Sequence, residues 1–347
     1  MAEEALPGAV AAEEDAVNHS SINPMKAMQL TRSFTPWLQS AGVFAGIWAA
    51  LITPGIFSAL GAAEQAKTFA SPEQAVSAMS SAVKALDLTA LREIFGPDLE
   101  QLENPDQVQA TNELRNFAAR LQEKTHLVQD SSTRYELEVG NNSWPFPIPI
   151  VLNDGRWFFD TDAGADELLN RRIGRNELLV LEVMRGYVDA QREYASTDRD
   201  GSQVLKYAQK LMSSPGKKDG LYWPTTLDGE VSPLGPFFAR AQAEGYFTGS
   251  PVDKSKPQPF HGYLFKVLTE QGKHAPGGSY NYVINGNMIG GFALVAWPAE
   301  YGESGIMSFI VNQQGRVFQK DLGPHTAKLA DKMKRYDPDP SWHVSAD

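Results

Sequence analysis

Cysteine is absent from the 347-residue chain, which excludes disulfide bonds, thiolate metal sites and thiol nucleophiles. Positive charge is also scarce, since 31 lysines and arginines stand against 42 aspartates and glutamates and give a formal net charge of −11. Without residues 1–63, which hold two basic and five acidic side chains, the remaining chain carries −8. Proteins bind nucleic acids by neutralising phosphates with lysine and arginine. The composition therefore predicts no nucleic-acid partner.

Motifs of nucleophilic catalysis and of nucleotide binding are lacking as well. The turn Tyr301–Gly305 reads YGESG, which misses the Gly-x-Ser-x-Gly spacing of a nucleophile elbow by one residue. Gly286, Gly290 and Gly291 have neither the spacing nor the strand-to-helix context of a dinucleotide-binding loop. We interpret them as turn or bulge glycines. The sequence predicts no cofactor, and a protein that is not an enzyme.

The N-terminal region has the pattern of an export signal. No charged residue lies between Arg32 and Glu64, and the centre of this stretch, Val43–Leu60, is apolar. Lys26 and Arg32 before it and small residues after it complete the basic, apolar and small-residue parts of a secretory signal. We predict that residues 25–63 are a signal peptide and that the protein is periplasmic or otherwise exported.

An uncleaved inner-membrane anchor is the alternative for the same residues. The apolar run is long enough to cross the ~30 Å hydrocarbon core of a bilayer. Pro54-Gly55 within it weakens that interpretation, because this pair interrupts a helix. The acidic residues 1–24 are predicted to be a disordered extension that takes no part in the fold.

Helices followed by antiparallel strands are predicted for residues 68–165. Ser71 as N-cap, Pro72 at the first helical position and Gln74 three residues after the cap predict the start of the first helix. The other elements, assigned by apolar spacing, are helices over 88–95 and 107–124 and strands over 125–129, 133–139, 148–152 and 157–160. Asp154-Gly155 predicts a tight turn between the last two strands. This small α+β domain of helices and a curved sheet resembles the cone-shaped fold of nuclear transport factor 2-like proteins.

Residues 166–336 are predicted to form a second domain, in which a long helix packs on an antiparallel sheet. Apolar residues follow one broad face of the helix, Glu167–Tyr194. A loop-rich stretch then continues to Pro259 and includes a short helix over Val204–Met212. Three apolar runs supply the strands, and they are Gly262–Leu268, Gly291–Pro298 and Ile306–Val311. The fold class predicted for the whole chain is α+β.

The C-terminal part is predicted to contain a hairpin and a short helix. Gln314-Gly315 is a tight-turn pair that folds the last apolar run back on residues 317–319. A short helix is expected through Lys328–Met333, and residues 337–347 are predicted to be a tail with Trp342 as its docking point.

Six long motifs resemble one family of exported bacterial proteins. They are WPFPIPIV at 144–151, DGRWFFDTDAG at 154–164, LLNRRIGRNE at 168–177, YVDAQREYA at 187–195, PGKKDGLYWP at 215–224 and YGESGIMSFIVNQQGRVFQKDLGP at 301–324. By these motifs the chain is identified as a member of the domain-of-unknown-function 2950 (DUF2950) family, over roughly residues 69–336. The resemblance implies export and assigns no catalytic residues, because that family has no established activity. Its members often carry an Asp-rich loop where this chain has DRDGSQ.

Residues 166–322 are also similar to the headpiece of type IV pilins and pseudopilins. A long amphipathic helix ending in DAQREY, a variable loop and a sheet ending in a Val-Asn-x-x-Gly-x-Val hairpin carry this resemblance. It implies a pilin-like fold for the second domain. In a pilin the long helix is fused to the hydrophobic N-terminus, whereas here residues 68–165 lie between them.

Arg171, Arg172 and Arg175 cluster within little more than one helical turn. Guanidinium groups bind carboxylates and phosphates through paired hydrogen bonds, so the cluster is a candidate anion clamp. The alternative is a structural role at a domain junction, in ion pairs with nearby acids. Acids close to the cluster in sequence are Asp160, Asp162 and Glu177.

Asp198, Asp200 and Ser202 place oxygen atoms at positions 1, 3 and 5 of a calcium-type loop. Gln203 and Gln209 stand where such a loop requires glycine and a bidentate glutamate. The sequence therefore predicts either a weak cation site or a polar turn that needs no ion.

His261 is a candidate general base, with Glu300 or Glu303 as its carboxylate partner. These residues would make the protein a hydrolase of the cell envelope, which is the alternative to a binding function. Zinc binding by His261, His274 and His325 is a further hypothesis, although no two of them have the short spacing typical of zinc ligands.

Aromatic residues are frequent around the loop-rich middle of the chain, at Tyr222, Trp223, Tyr246, Phe247, Tyr280, Tyr282 and Trp297. Aromatic side chains along a groove suit the recognition of glycans or peptides, and a core beneath long loops is the alternative. We predict a non-catalytic cell-envelope protein that binds a partner protein or a small ligand. The predicted contact residues are Arg171, Arg172, Arg175, Tyr222, Trp223, Tyr280 and Trp297.

Overall fold

The computed structural model of the protein describes residues 66–97, 99, 103–225, 229–247 and 258–345. Its helices are α1 (Pro72–Ala85), α2 (Leu88–Phe95), α3 (Gln107–Glu123), α4 (Thr161–Ala195), α5 (Gly235–Ala243) and α6 (Thr326–Lys332). No helix within these residues combines the length and the apolar character needed to cross a membrane. The predicted extension 1–24 and signal segment 25–63 lie outside the described residues.

The strands follow in two groups, before and after α4. They are β1 (Thr125–Ser131), β2 (Arg134–Val139), β3 (Trp144–Asn153), β4 (Arg156–Phe159), β5 (Tyr263–Leu268), β6 (Glu270–Gln271), β7 (Tyr280–Asn281), β8 (Val283–Ile284), β9 (Asn287–Met288), β10 (Ala293–Pro298), β11 (Met307–Asn312), β12 (Phe318–Asp321), β13 (Arg335–Tyr336) and β14 (His343–Val344). Helices and antiparallel sheets together confirm the α+β class.

In the first part of the chain, α1, α2 and α3 pack against the antiparallel sheet β1-β2-β3-β4. Ser71 Oγ accepts a hydrogen bond from the Gln74 amide at 3.3 Å and caps α1, as predicted. Asp154 and Gly155 have φ angles of 48° and 73°, which is the geometry of a two-residue turn that matches the twist of β3 and β4. The predicted order of helices and strands is confirmed here.

The second part is built on the sheet β14-β12-β11-β10-β5, in which neighbouring strands are antiparallel. All six residues of the inner strand β10 are buried, so both of its faces are covered. α4 packs on β10 and β11, and α6 packs on β10. The three predicted apolar runs form β5, β10 and β11, and Gly315 with φ 78° closes the predicted hairpin of β11 and β12.

A single helix of 35 residues, α4, contributes to both hydrophobic cores. It begins six residues before the predicted start, because Asp160 accepts a hydrogen bond from the Ala163 amide at 3.3 Å and caps the helix there. Leu168 packs on the core of the first sheet, whereas Val180 and Tyr194 belong to the core of the second. By their contacts the described residues all belong to one compact unit.

The helix predicted over Val204–Met212 does not form. Its backbone groups bond elsewhere, since Gln191 on α4 donates from Nε2 to the Ala208 carbonyl and accepts from the Ala208 amide, both at 2.8 Å. Tyr207 and Met212 form isolated bridges with Met288 and Tyr222. Tertiary hydrogen bonds to distant residues therefore override a short helical pattern.

The predicted C-terminal tail contributes a strand. His343–Val344 pairs with β12 at the edge of the sheet, and Trp342 is buried beneath Lys320, whose ammonium lies 5.8 Å from the indole ring. The docking predicted for Trp342 is thus present, and the chain through Ser345 belongs to the sheet.

Candidate functional site

A groove of about 810 Å³ lies between α2, α3, β3 and the first turns of α4. Its apolar lining includes an aromatic cluster in which the rings of Phe117 and Phe146 stack at 5.1 Å and the Trp144 ring lies 6.3 Å from Phe117. Leu88, Leu114 and Leu168 add aliphatic surface to the lining. These side chains are half-buried, apart from Leu88, which is exposed. We call this cavity the arginine groove, for the residues described next.

Five arginines line the same groove, and they are Arg92, Arg120, Arg171, Arg172 and Arg175. The acidic residues in the lining are Glu103 and Glu113. The groove therefore carries a surplus of positive charge, although residues 64–347 as a whole carry −8. An apolar surface that also carries guanidinium groups is complementary to a molecule that combines apolar surface with an acidic group.

Two of the predicted arginines in the groove lining are held by side-chain and backbone oxygens. Arg171 donates from Nε to Glu167 at 2.6 Å and from Nη1 to the Pro145 carbonyl at 2.8 Å, and its guanidinium lies 5.0 Å from the Trp144 ring. Arg175 donates to Glu113 Oε1 at 2.8 Å. The Arg175 side chain is 60% exposed, so its guanidinium remains open to a ligand.

Arg172 differs from its two neighbours because it is buried. Only 6% of its surface is exposed, and it donates from Nη1 to the Glu103 carbonyl at 3.2 Å. Burial lowers the pKa of this guanidinium, and the nearby carboxylates of Glu113 and Glu303 oppose that shift. Arg172 therefore packs within the wall of the groove and also contributes to its positive charge.

Two of the acids expected to pair with these arginines have other roles. Asp160 caps α4, and Glu177 Oε1 accepts hydrogen bonds from the Ile306 and Met307 amides at 3.0 Å and 2.9 Å. The acids that do pair with the cluster, Glu167 and Glu113, were not recognised. Glu113 lies on α3, whose packing against α4 the sequence does not specify.

The aromatic residues predicted to contact a ligand do not form one surface. Trp223 and Trp297 are 1% and 5% exposed and lie in the core. Tyr222 stacks on Phe238 with ring centroids 4.0 Å apart, and Tyr280, which is 39% exposed, packs edge-on against the buried Tyr282. Core packing accounts for Trp223 and Trp297, whereas Tyr280 lies at the surface. The aromatic surface of the groove comes from Phe117, Trp144 and Phe146 instead.

Sequence reasoning missed that surface because β3 was predicted to begin at residue 148. The strand starts at Trp144, and residues two apart on a strand share a face. Trp144 and Phe146 therefore point the same way, and a strand drawn from Trp144 would have identified them. Pro145, Pro147 and Pro149 hid the strand, since proline lacks the amide that a central strand requires.

His261 is paired with a different acid from those predicted. Its Nε2 atom lies 2.7 Å from Glu244 Oε2, whereas Glu300 and Glu303 are exposed residues of the turn between β10 and β11. His274 Nδ1 lies 3.0 Å from Asp337 Oδ1, and His325 immediately precedes α6. Among the described residues no three or more His, Cys, Asp or Glu side chains are grouped to hold a metal ion.

The loop predicted as a cation site is closed by its own hydrogen bonds. Asp198 accepts from the amides of Asp200, Ser202 and Gln203 at 3.3, 3.2 and 2.7 Å. Asp200 pairs with the Lys206 ammonium, and hydrogen bonds from Lys206 and Ser202 lower the pKa of Asp200 to about 2. The ammonium therefore supplies the positive charge that a calcium ion would have supplied.

Comparison with known proteins identifies a family. The family model described as protein of unknown function (DUF2950) matches residues 66–344, close to the limits that the six motifs suggested. No curated protein and no solved structure matches the chain, so the likeness to pilin headpieces has no structural support. With four fifths of its length matched by that family model, the chain belongs to the DUF2950 family.

Proposed function

We propose that the protein is an exported, non-catalytic cell-envelope protein that binds an amphipathic acidic molecule in the arginine groove. The observation that carries the proposal is the coincidence of an apolar aromatic lining with five arginines in one cavity. Its volume of about 810 Å³ falls in the range of ~300–1,000 Å³ that is usual for small-molecule sites.

The groove offers different contacts to the apolar part and to the acidic group of such a ligand. Burying an aliphatic chain against Leu114, Phe117 and Leu168 stabilises the complex by about 25 cal/mol for each Å² of apolar surface removed from water. Arg171 and Arg175 stand where they can donate to the acidic group, because one is stacked near Trp144 and the other is exposed. Arginine suits this task, since its planar fork matches a carboxylate and tolerates an apolar surround.

The experiment compares two probes with the same chain, dodecanoate and dodecanol, by isothermal titration calorimetry. Dodecanoate is expected to bind at least about tenfold more tightly than dodecanol, because a charge-assisted hydrogen bond is worth about 1.5–3 kcal/mol and every 1.4 kcal/mol is tenfold in affinity. Arg175→Gln should remove most of this difference and leave dodecanol binding unchanged.

Arg192→Gln is the matched control, because Arg192 also lies on α4 in an ion pair, with Asp189 at 3.4 Å, but does not line the groove. Leu168→Gln should weaken both probes. Equal affinities for dodecanoate and dodecanol in the unaltered protein would contradict the proposal, as would an Arg192→Gln protein that behaves like Arg175→Gln.

The absence of a catalytic step is part of the proposal. His261, the candidate base of the hydrolase alternative, has Glu244 as its hydrogen-bond partner and is half-buried. Its ring also packs 4.5 Å from Phe260 and 5.1 Å from Tyr246. These contacts support a structural role for the pair of His261 and Glu244.

Export rests on the sequence pattern of residues 25–63. Native mass spectrometry of protein recovered from a bacterial periplasm tests whether the protein is exported and this segment removed. We expect a chain that starts near residues 62–66 and retains a ligand. A full-length chain in the membrane fraction would instead support the inner-membrane anchor.

A further inference from the structure

A second pocket, of about 770 Å³, lies beside the C-terminal end of α4. We call it the lysine pocket, for the cations that line it, which are Arg199, Lys206, Lys210, Lys217 and Lys218. Its acidic lining residues are Asp200 and Asp219, and Tyr194 and Tyr207 add aromatic surface. No lining residue is shared with the arginine groove. The lysine pocket is therefore a separate feature of the molecule.

Ion pairs hold most of these cations in place around the cavity. Lys206 pairs with Asp200, and Lys210 donates to Asp219 Oδ2 at 2.7 Å. Arg199 and Lys218 both pair with Glu230 and lie over the Trp223 ring at 5.2 Å and 5.5 Å. The ammonium groups are thus positioned before any ligand arrives, which lowers the entropy that binding would cost.

Lys217 stands apart from this network. It is exposed, it lines the pocket, and its side chain has no hydrogen-bond or ion-pair partner among the described residues. The two carboxylates in the lining are already engaged by Lys206 and Lys210. Positive charge consequently exceeds negative charge around the cavity, whereas residues 64–347 carry −8 overall.

We propose that the lysine pocket binds a small polar molecule that carries phosphate groups. Lysine ammonium ions are compact, strongly hydrated point charges, which suit phosphate oxygens. Asn287 and Gln209 add polar groups to the lining, and Lys206 Nζ already donates to Asn287 Oδ1 at 3.1 Å. The four lysines here and the apolar lining of the arginine groove therefore select ligands of different chemistry.

The test uses the full chain and inorganic pyrophosphate, with binding measured by isothermal titration calorimetry at two salt concentrations. We expect binding that weakens as salt rises, because added ions screen exposed charges. Lys217→Glu should weaken it about tenfold, since a cation close to the ligand becomes an anion. This variant leaves folding intact because Lys217 supports no other side chain.

Lys328→Glu is the matched control, because it makes the same change of charge at an exposed position of α6 outside the pocket. Its affinity for pyrophosphate should stay within about twofold of the unaltered protein. Equal weakening by the two variants would show a response to net charge alone and overturn the proposal. Unchanged binding in Lys217→Glu, or no binding of pyrophosphate to the unaltered protein, would overturn it as well.

Discussion

At the scale of single residues, Asp106 joins three segments of the chain through one buried carboxylate. Oδ1 accepts from the Val108 and Gln109 amides, both at 3.1 Å, and caps α3. Oδ2 accepts from the Tyr246 hydroxyl at 2.8 Å and from the Gly262 amide at 3.0 Å. Burial and the neighbouring Asp106 charge raise the pKa of Tyr246, so its hydroxyl keeps its proton and donates to Asp106.

Asp106→Ala is expected to destabilise the protein by about 3 kcal/mol or more. The helix cap contributes about 1 kcal/mol, and each buried donor left without a partner costs about 1–3 kcal/mol. Tyr246→Phe is the control, because it removes one of the four hydrogen bonds and should cost only about 1 kcal/mol. Urea unfolding measures both variants, and similar losses for the two would contradict this role of Asp106.

At the scale of elements, α4 approaches β3 so closely that only glycine fits at one point of contact. A Cβ atom on Gly164 would lie 2.8 Å from Ile148 Cα and 2.9 Å from the Pro147 carbonyl oxygen. Gly186, on the same helix, has no neighbouring atom within 4 Å of such a Cβ. Alanine substitutions at these two glycines therefore distinguish the effect of packing on stability from the effect of helix propensity.

Gly186→Ala is expected to stabilise the protein by up to about 1 kcal/mol, because alanine is the better helix former. Gly164→Ala gains the same propensity but must push the α4 backbone away from β3, so it should lower the melting temperature. Thermal unfolding followed by circular dichroism compares the two variants. A Gly164→Ala protein that melts above the unaltered protein would contradict the close packing of α4 on β3.

At the scale of the whole molecule, buried hydrogen bonds connect the two cores in addition to α4. Gln109 Nε2 donates to Asn176 Oδ1 at 2.7 Å, and Asn176 Nδ2 donates to the Ser304 carbonyl at 2.9 Å. These hydrogen bonds link α3 to α4, and α4 to the turn after β10. All three residues are buried. If one of the two cores unfolded alone, the polar groups that it bonds in the other core would lose their partners. The two cores should therefore unfold together.

One cooperative unfolding transition is therefore expected for residues 66–345, despite the two domains predicted at 68–165 and 166–336. Scanning calorimetry measures this as agreement between the calorimetric and van't Hoff enthalpies. Asn176→Ala should weaken the coupling and broaden the transition. Two resolved transitions in the unaltered protein would show that α4 and the buried hydrogen bonds do not couple the cores.

The sequence by itself determined the features that depend on neighbouring residues. Ser71 and Pro72 start α1, Asp154-Gly155 and Gly315 turn the hairpins, and apolar runs mark β5, β10 and β11. Long motifs also identified the family. In each case the signal is a cap, a positive φ or a run of side chains, which operates within a few residues.

Only the tertiary structure decided which side chains meet. Arg92 and Arg120 line the same groove as the arginines of α4. Trp144 contributes to the aromatic surface of that groove, whereas the predicted Trp223 and Trp297 are buried in the core. His261 pairs with Glu244. In place of the helix expected at 204–212, the Ala208 backbone forms hydrogen bonds with the Gln191 side chain. These outcomes depend on how α3, α4 and the two larger sheets pack, and the partners are far apart along the chain. Local propensity and spacing carry no information about such contacts, because packing energy is decided by neighbours in space.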